Sequence, residues 1–144
     1  MIKKAVKCDL ESAVNLALAL WESSSVNELT DEFTEIISNE SAEIFLKYEN
    51  SEPIGFAQCS LRHDYVEGTE SSPVGYLEGI YVKEKFRNRG YAKELLRACE
   101  EWAKNKGCSE FASDCELDNE NSLLFHKAMN FTEANRIICF TKKL

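Results

Sequence analysis

Apolar residues recur along this chain with two periods, and each switch between them marks an element boundary. Ile2–Val6 reads as a short strand. After Asp9, an N-cap residue type, Leu10, Val14, Ala17, Leu18 and Trp21 return at helical spacing, and Ser23-Ser24-Ser25 ends the run. Thr30 is the expected cap of a second short helix, with Asp31 and Glu32 in its first turn and Phe33, Ile36 and Ile37 on one face. Ala42–Tyr48 and Ile54–Leu61 read as strands joined by the turn Asn50-Ser51-Glu52-Pro53. His63–Pro73, polar and interrupted by Gly68, reads as a loop, and Val74–Val82 as a strand rich in aromatic and β-branched residues.

The clearest helical pattern spans Tyr91–Lys106, where Ala92, Leu95, Leu96, Cys99, Trp102 and Ala103 line one face and Gly107 supplies the C-terminal stop. Glu110–Ser113 reads as a strand, Ser122–Met129 as a helix and Arg136–Thr141 as a last strand. This order predicts an α/β (α+β) fold: a mixed, mostly antiparallel sheet flanked by helices, with a right-handed parallel crossover from Val74 to Ser113. No internal repeat or linker divides it, so residues 1–144 are read as one domain.

Composition excludes several classes. With 44% hydrophobic residues and 2 prolines in 144, the chain can bury a core. No apolar run reaches the ~20 residues of a membrane span, and the N-terminus lacks the apolar segment of a signal peptide. The six cysteines contain no C-x-x-C pair, and neither His63 nor His126 has a Cys at ligand spacing. They are read as reduced thiols of a cytoplasmic protein, with no metal site expected.

A net charge of −8 argues against nucleic acid as the partner. Its distribution is more informative. No Lys or Arg occurs from Cys8 through Leu46, from His63 through Val82, or from Gly107 through His126, although acids are frequent in all three stretches. Lys83, Lys85, Arg87, Arg89, Lys93, Arg97, Lys104 and Lys106 crowd into one segment. The division suits one surface for an anion and another for a cation; solvated acidic faces are the plainer alternative.

The basic segment holds a specific pattern. Arg87-Asn88-Arg89-Gly90-Tyr91-Ala92 joins the Val74–Val82 strand to the long helix and matches [QR]-x-x-G-x-[GA]. A diphosphate needs converging donors, and the free N–H groups of a helix's first turn supply them. Gly90 permits close approach, Ala92 keeps the turn small, and Arg87 and Arg89 can add charge-assisted contacts. Neither a Walker loop nor a three-glycine dinucleotide fingerprint is present.

In this context the loop resembles the acetyl-CoA site of GNAT acetyltransferases. More narrowly, the chain resembles the aminoglycoside 6'-N-acetyltransferases through Arg62–Val66, Ser71-Ser72-Pro73, Leu77–Ile80, Asn105–Cys108, Ala112–Asp114 and Phe125–Phe131. The resemblance implies a GNAT-type single domain, acetyl-CoA as cosubstrate and a homodimer. It implies that backbone around Ile80, Tyr81 and Val82 binds the pantetheine arm, that Asn88 to Lys93 hold the pyrophosphate, and that Asn119 contacts the cofactor. For the aminoglycoside it implies Trp21, Tyr65, Glu78 and Asp114. Two departures stand out: Glu22-Ser23-Ser24 replace a Pro and His often found after the matching Trp, and Asn135 occupies the place of a substrate-contacting acid.

The expected chemistry is direct acetyl transfer to a primary amine, which attacks only when neutral. Carboxylates suit both holding the cation and removing its proton. Glu78 is the expected anchor and candidate base, directly or through water, and Asp114 the second anchor; a strand carboxylate facing solvent or paired with a nearby arginine is the plainer alternative for Glu78. Trp21 either stacks on a sugar or completes a helix face; Tyr65, in a polar loop, is read as a ligand contact. Another polycationic amine, a peptide terminus, or acyl-CoA binding without turnover are the competing readings. Cys115 lacks a nearby activating base for a covalent route.

Overall fold

The aromatic and β-branched runs of the first half pair with their own neighbours in sequence. The computed structural model describes residues 1–144. Strands β1 (Ile2–Lys4), β2 (Ala42–Glu49), β3 (Glu52–Arg62) and β4 (Val74–Val82) are successive antiparallel neighbours, and β5 (Phe111–Ala112) adds to β4 in parallel. Helices α1 (Leu10–Leu20) and α2 (Val26–Ile37) separate β1 from β2; α3 (Tyr91–Asn105) makes the crossover to β5, and α4 (Glu120–Ala128) follows.

Alternation along each strand assigns α1 and α2 to one face and α3 to the other. Ile44, Leu46 and Phe56 pack with Val14, Ala17, Leu29 and Phe33 of α1 and α2. Ala57, Cys59, Leu77 and Val82 point the other way, onto Leu95, Leu96, Cys99 and Trp102 of α3. The apolar face read for α3 is therefore the buried one. Gly107, at φ 91°, completes a Schellman ending in which Gly107 N–H bonds Lys104 O and Cys108 N–H bonds Ala103 O. Asn130 serves α4 in the same way at φ 69°.

Three expectations need correction. The second helix starts at Val26, where Ser25 and Glu28 form a capping box; the S-x-x-E signal precedes Thr30 and overrides it. Asp9 stands at the start of α1 without capping it: its carboxylate accepts from the Val6 N–H at 2.9 Å, Lys3 and the Tyr48 hydroxyl. Arg136–Thr141 forms no strand, and Ile137, Ile138 and Phe140 are 64%, 80% and 88% exposed. That segment has strand-forming residues but no edge of its own sheet beside it.

Candidate active site

The β3–β4 ladder carries one irregularity. Gln58 lies opposite Gly79 and Cys59 opposite Leu77, so Glu78 is an extra residue with no partner. Such a bulge re-aims a side chain. Here it turns Glu78 onto the face shared by Ser60 and Arg62, which reach it together. Ser60 Oγ donates to Oε1 at 2.6 Å, and Arg62 grips both oxygens through Nε and Nη2.

Asp114, just beyond β5, accepts a hydrogen bond from the Tyr76 hydroxyl. Burial first, and then the neighbouring Asp114 carboxylate, push the Tyr76 phenol well above its ordinary range, so it stays a donor. The Arg62 guanidinium carbon lies 3.5 Å from the centroid of the Tyr76 ring, which links the two carboxylates through one stacked cation. Nearby on β3, the Gln58 side-chain oxygen is buried without a partner.

Trp21 caps the C-terminal end of α1, and its indole meets Phe56 edge-on at 5.7 Å while lying directly over Gly79. Trp21 therefore packs on the core, as its helical spacing predicts, with its ring over the residue that follows Glu78. Tyr65 is 80% exposed and donates to Glu67 Oε2 at 2.6 Å, while Asn135 Nδ2 donates to Glu67 Oε1 at 3.0 Å. These two expected contacts thus form a second group, joined by a carboxylate that the sequence reading did not single out. The Tyr65 and Asn135 hydrogen bonds hold the Glu67 carboxyl below its usual range.

On the cofactor side, β5 pairs with β4 only at Gly75 and Tyr76, so the β4 edge from Leu77 to Val82 has no strand neighbour. Ile80, Tyr81 and Val82 lie along that open edge. Ser113 Oγ approaches its start, 3.4 Å from Leu77 O and 2.8 Å from His126 Nε2. His126 Nδ1 lies 2.7 Å from Ser122 O, so in the neutral ring Nδ1 donates and Nε2 accepts the Ser113 hydroxyl.

Beyond Val82 the chain turns through two left-handed residues, Asn88 at φ 63° and Gly90 at φ 82°, into α3. No side chain caps the helix, and the first backbone bond at its start runs from Glu94 N–H to Gly90 O. The N–H groups of Tyr91, Ala92 and Lys93 thus lack backbone acceptors, and a Cβ built on Gly90 meets nothing within 4 Å. Unpaired donors facing open space at a positive helix end fit a diphosphate. Arg87 departs from its expected part: its Nε donates to Val82 O at 2.7 Å, anchoring the loop and leaving only its outer nitrogens for a ligand. Arg89 is loosely paired with Glu49 at 3.8 Å. Asn119 caps α4 through Oδ1, which keeps its amide NH2 available.

The model of the acetyltransferase (GNAT) family matches residues 10–131. An aminoglycoside N(6')-acetyltransferase type 1 from Acinetobacter haemolyticus is 39% identical over 143 residues, covering 99% of this chain and 98% of the relative. One from Serratia marcescens is 40% identical, covering 96% and 98%. Among solved structures, AAC(6')-Iy in complex with the bisubstrate analog CoA-S-monomethyl-acetylneamine superposes with a TM-score of 0.97 at 39% identity, covering 100% of this chain and 98% of that one.

Proposed function

Because the chain belongs to the GNAT acetyltransferases, and among them to the aminoglycoside 6'-N-acetyltransferases, we propose that it acetylates the 6'-amine of aminoglycosides and so confers resistance to them. The observation that carries this reading is the bulge. It sets Glu78 on the stretch of β4 whose outer edge has no strand neighbour, and that stretch runs through a short loop into the uncapped start of α3. A cation-holding carboxylate midway along β4 and a diphosphate seat past its end are thereby joined by one open edge.

Acetyl-CoA would supply the acetyl group as a thioester. The exposed peptide groups of Leu77–Val82 are suited to its pantetheine arm as an added strand, and the amides of Tyr91, Ala92 and Lys93, with Asn88, Arg89 and Gly90 beside them, to its pyrophosphate. The Arg87 outer nitrogens and the Asn119 amide flank that path. On the other side, Glu78 and Asp114 hold the 6'-ammonium, with Trp21 against the sugar and Tyr65 and Asn135 at the far rim.

Glu78 then takes the amine's proton, and the freed lone pair forms the N–C bond as the C–S bond breaks. The departing sulfur keeps the bonding electron pair and takes up the proton that the acetylated nitrogen sheds. The acidic segments favour a polycation over a neutral sugar. The test is a substrate panel read by release of CoA thiol. Kanamycin should give turnover and its 6'-hydroxyl analogue none; turnover on polyamines alone, or acetyl-CoA binding without turnover on any amine, would overturn the reading.

A homodimer is supported by the tail. Residues 132–144 leave the sheet with Ile137, Ile138 and Phe140 exposed, while β5 has a strand neighbour on one side only. Exposed strand-forming residues and an open edge are complementary between two copies. Light scattering should report a dimer for the full chain and a monomer after truncation at Asn135. A cytoplasmic location is supported by six free thiols, three of them exposed. No helix is long and apolar enough to cross a membrane.

A further inference from the structure

The two oxygens of Glu78 are not equivalent. Oε1 accepts from Ser60 Oγ at 2.6 Å, Arg62 Nε at 3.2 Å and Arg62 Nη2 at 3.0 Å. Oε2 accepts only from Arg62 Nη2, at 3.0 Å. A carboxylate oxygen offers two lone pairs, so Oε1 is filled and Oε2 keeps room for one more donor. Arg62 is also held from behind, stacked 3.5 Å above the Tyr76 ring whose hydroxyl is bound by Asp114. The ion pair is half-open, with Arg62 42% and Glu78 26% exposed at their side chains, so an incoming ammonium can reach the free oxygen.

We propose that Arg62 is a positioning and tuning residue for the acetyl transfer. Its guanidinium stays on Glu78 when substrate binds, leaves Oε2 to the 6'-ammonium, and by its own charge drives that ammonium toward the neutral amine, whose proton Oε2 accepts and passes on to water. The inference rests on the acetyltransferase reading given above.

The reason lies in a conflict within the site. A carboxylate beside an ammonium stabilises the charged form and so opposes the deprotonation that attack requires. Two unscreened carboxylates would bind the substrate well and keep it inert. Arg62 converts Glu78 into a neutral pair that still offers a directed acceptor, while a like charge beside the ammonium disfavours it. The remaining groups around the amine do not duplicate this. Tyr76 of β4 is a neutral donor, and Asp114 past β5 is an acid that this phenol hydrogen-bonds without neutralising. Trp21 at the end of α1 is uncharged, and Glu22 follows it. Asp64 and Glu67 of the neighbouring loop are negative, and His126 of α4 is bonded to Ser113. Arg62 is the cation of the set.

The experiment uses the full chain, kanamycin and acetyl-CoA, with Arg62→Gln and Arg62→Lys followed by CoA-thiol release from about pH 5.5 to about pH 9.5. Arg62→Gln should lower KM for kanamycin several-fold, because the cation is held more strongly. The acid limb of kcat, where activity rises as the amine loses its proton, should move about one pH unit upward, and kcat near neutrality should fall about tenfold. Arg62→Lys should recover most of the displacement. A raised KM with an unmoved limb means that Arg62 only supports packing, and the proposal fails; so does a limb that moves toward acid. If Arg62→Gln does not fold, Arg62→Met, which keeps a stem over Tyr76, is read against the same criteria. Failure of the wild type to turn over kanamycin removes the underlying reading itself, a result distinct from an unchanged profile in an active enzyme.

Discussion

Gly79 lies so close beneath Trp21 that a Cβ built on it would stand 2.5 Å from Cζ2 and 2.8 Å from Cη2 of the indole. No L side chain fits there without moving the ring. Gly79→Ala should therefore displace Trp21 from the wall beside Glu78, at a stability cost of about 1–3 kcal/mol for overpacking. Thermal melts should show the loss, and KM for the aminoglycoside should rise while the Kd for acetyl-CoA stays unchanged. An unchanged KM would separate Trp21 from substrate binding.

Glu78→Gln keeps the shape of the bulged side chain and an acceptor for Ser60, but removes the charge. Loss of a proton acceptor at the reacting amine is expected to lower kcat by about a hundredfold or more. Calorimetry should find acetyl-CoA binding intact. Turnover at the wild-type level would take Glu78 out of the chemistry.

Gly90→Val tests the diphosphate seat. A β-branched residue at φ 82° is strained by about 1–2 kcal/mol, and its side chain would fill the open space the anion needs. Acetyl-CoA affinity should fall at least tenfold, with aminoglycoside binding to the free protein unaffected. Equal affinity for acetyl-CoA would place the pyrophosphate elsewhere.

Asp9 offers a pH test remote from catalysis. It is 5% exposed. Burial alone would raise its carboxyl, but the Val6 N–H, Lys3 and Tyr48 hydrogen bonds outweigh burial and hold it below the usual carboxylate range. A lowered folded-state value means the stabilisation is present above about pH 4, the unfolded value, and is lost as pH falls through the folded one. Asp9→Asn should cost about 2 kcal/mol at neutral pH, and its denaturation curve should converge with the wild type's in acid. A gap that persists there would mean that packing, not charge, is responsible.

The sequence displayed much of this fold because its strongest signals are local. The face of α3 and the stop at Gly107 each depend on residues within one or two turns. The bulge at Glu78 is different: a single-residue slip between Gln58–Gly79 and Cys59–Leu77 exists only in the pairing of two strands. For the same reason the sequence offers an arginine as partner of Glu78 without singling out Arg62 or Ser60, and does not single out Glu67 as the link between Tyr65 and Asn135. The tail failed for a related cause, since Arg136–Thr141 has the residues of a strand and the missing ingredient is a neighbouring edge. Only the start of α2 was misread with its signal in plain view, at Ser25 and Glu28.

The bare margin of β4 has a consequence for how such a protein can change. Peptide groups look alike whichever residue bears them, so a ligand recognised through them places few demands on the identities of Leu77–Val82. Substitutions there and across the opposite wall can accumulate while the acyl donor is still accepted. If the donor is held there as proposed, drug preference is free to wander on a scaffold whose appetite for that donor is written in main chain.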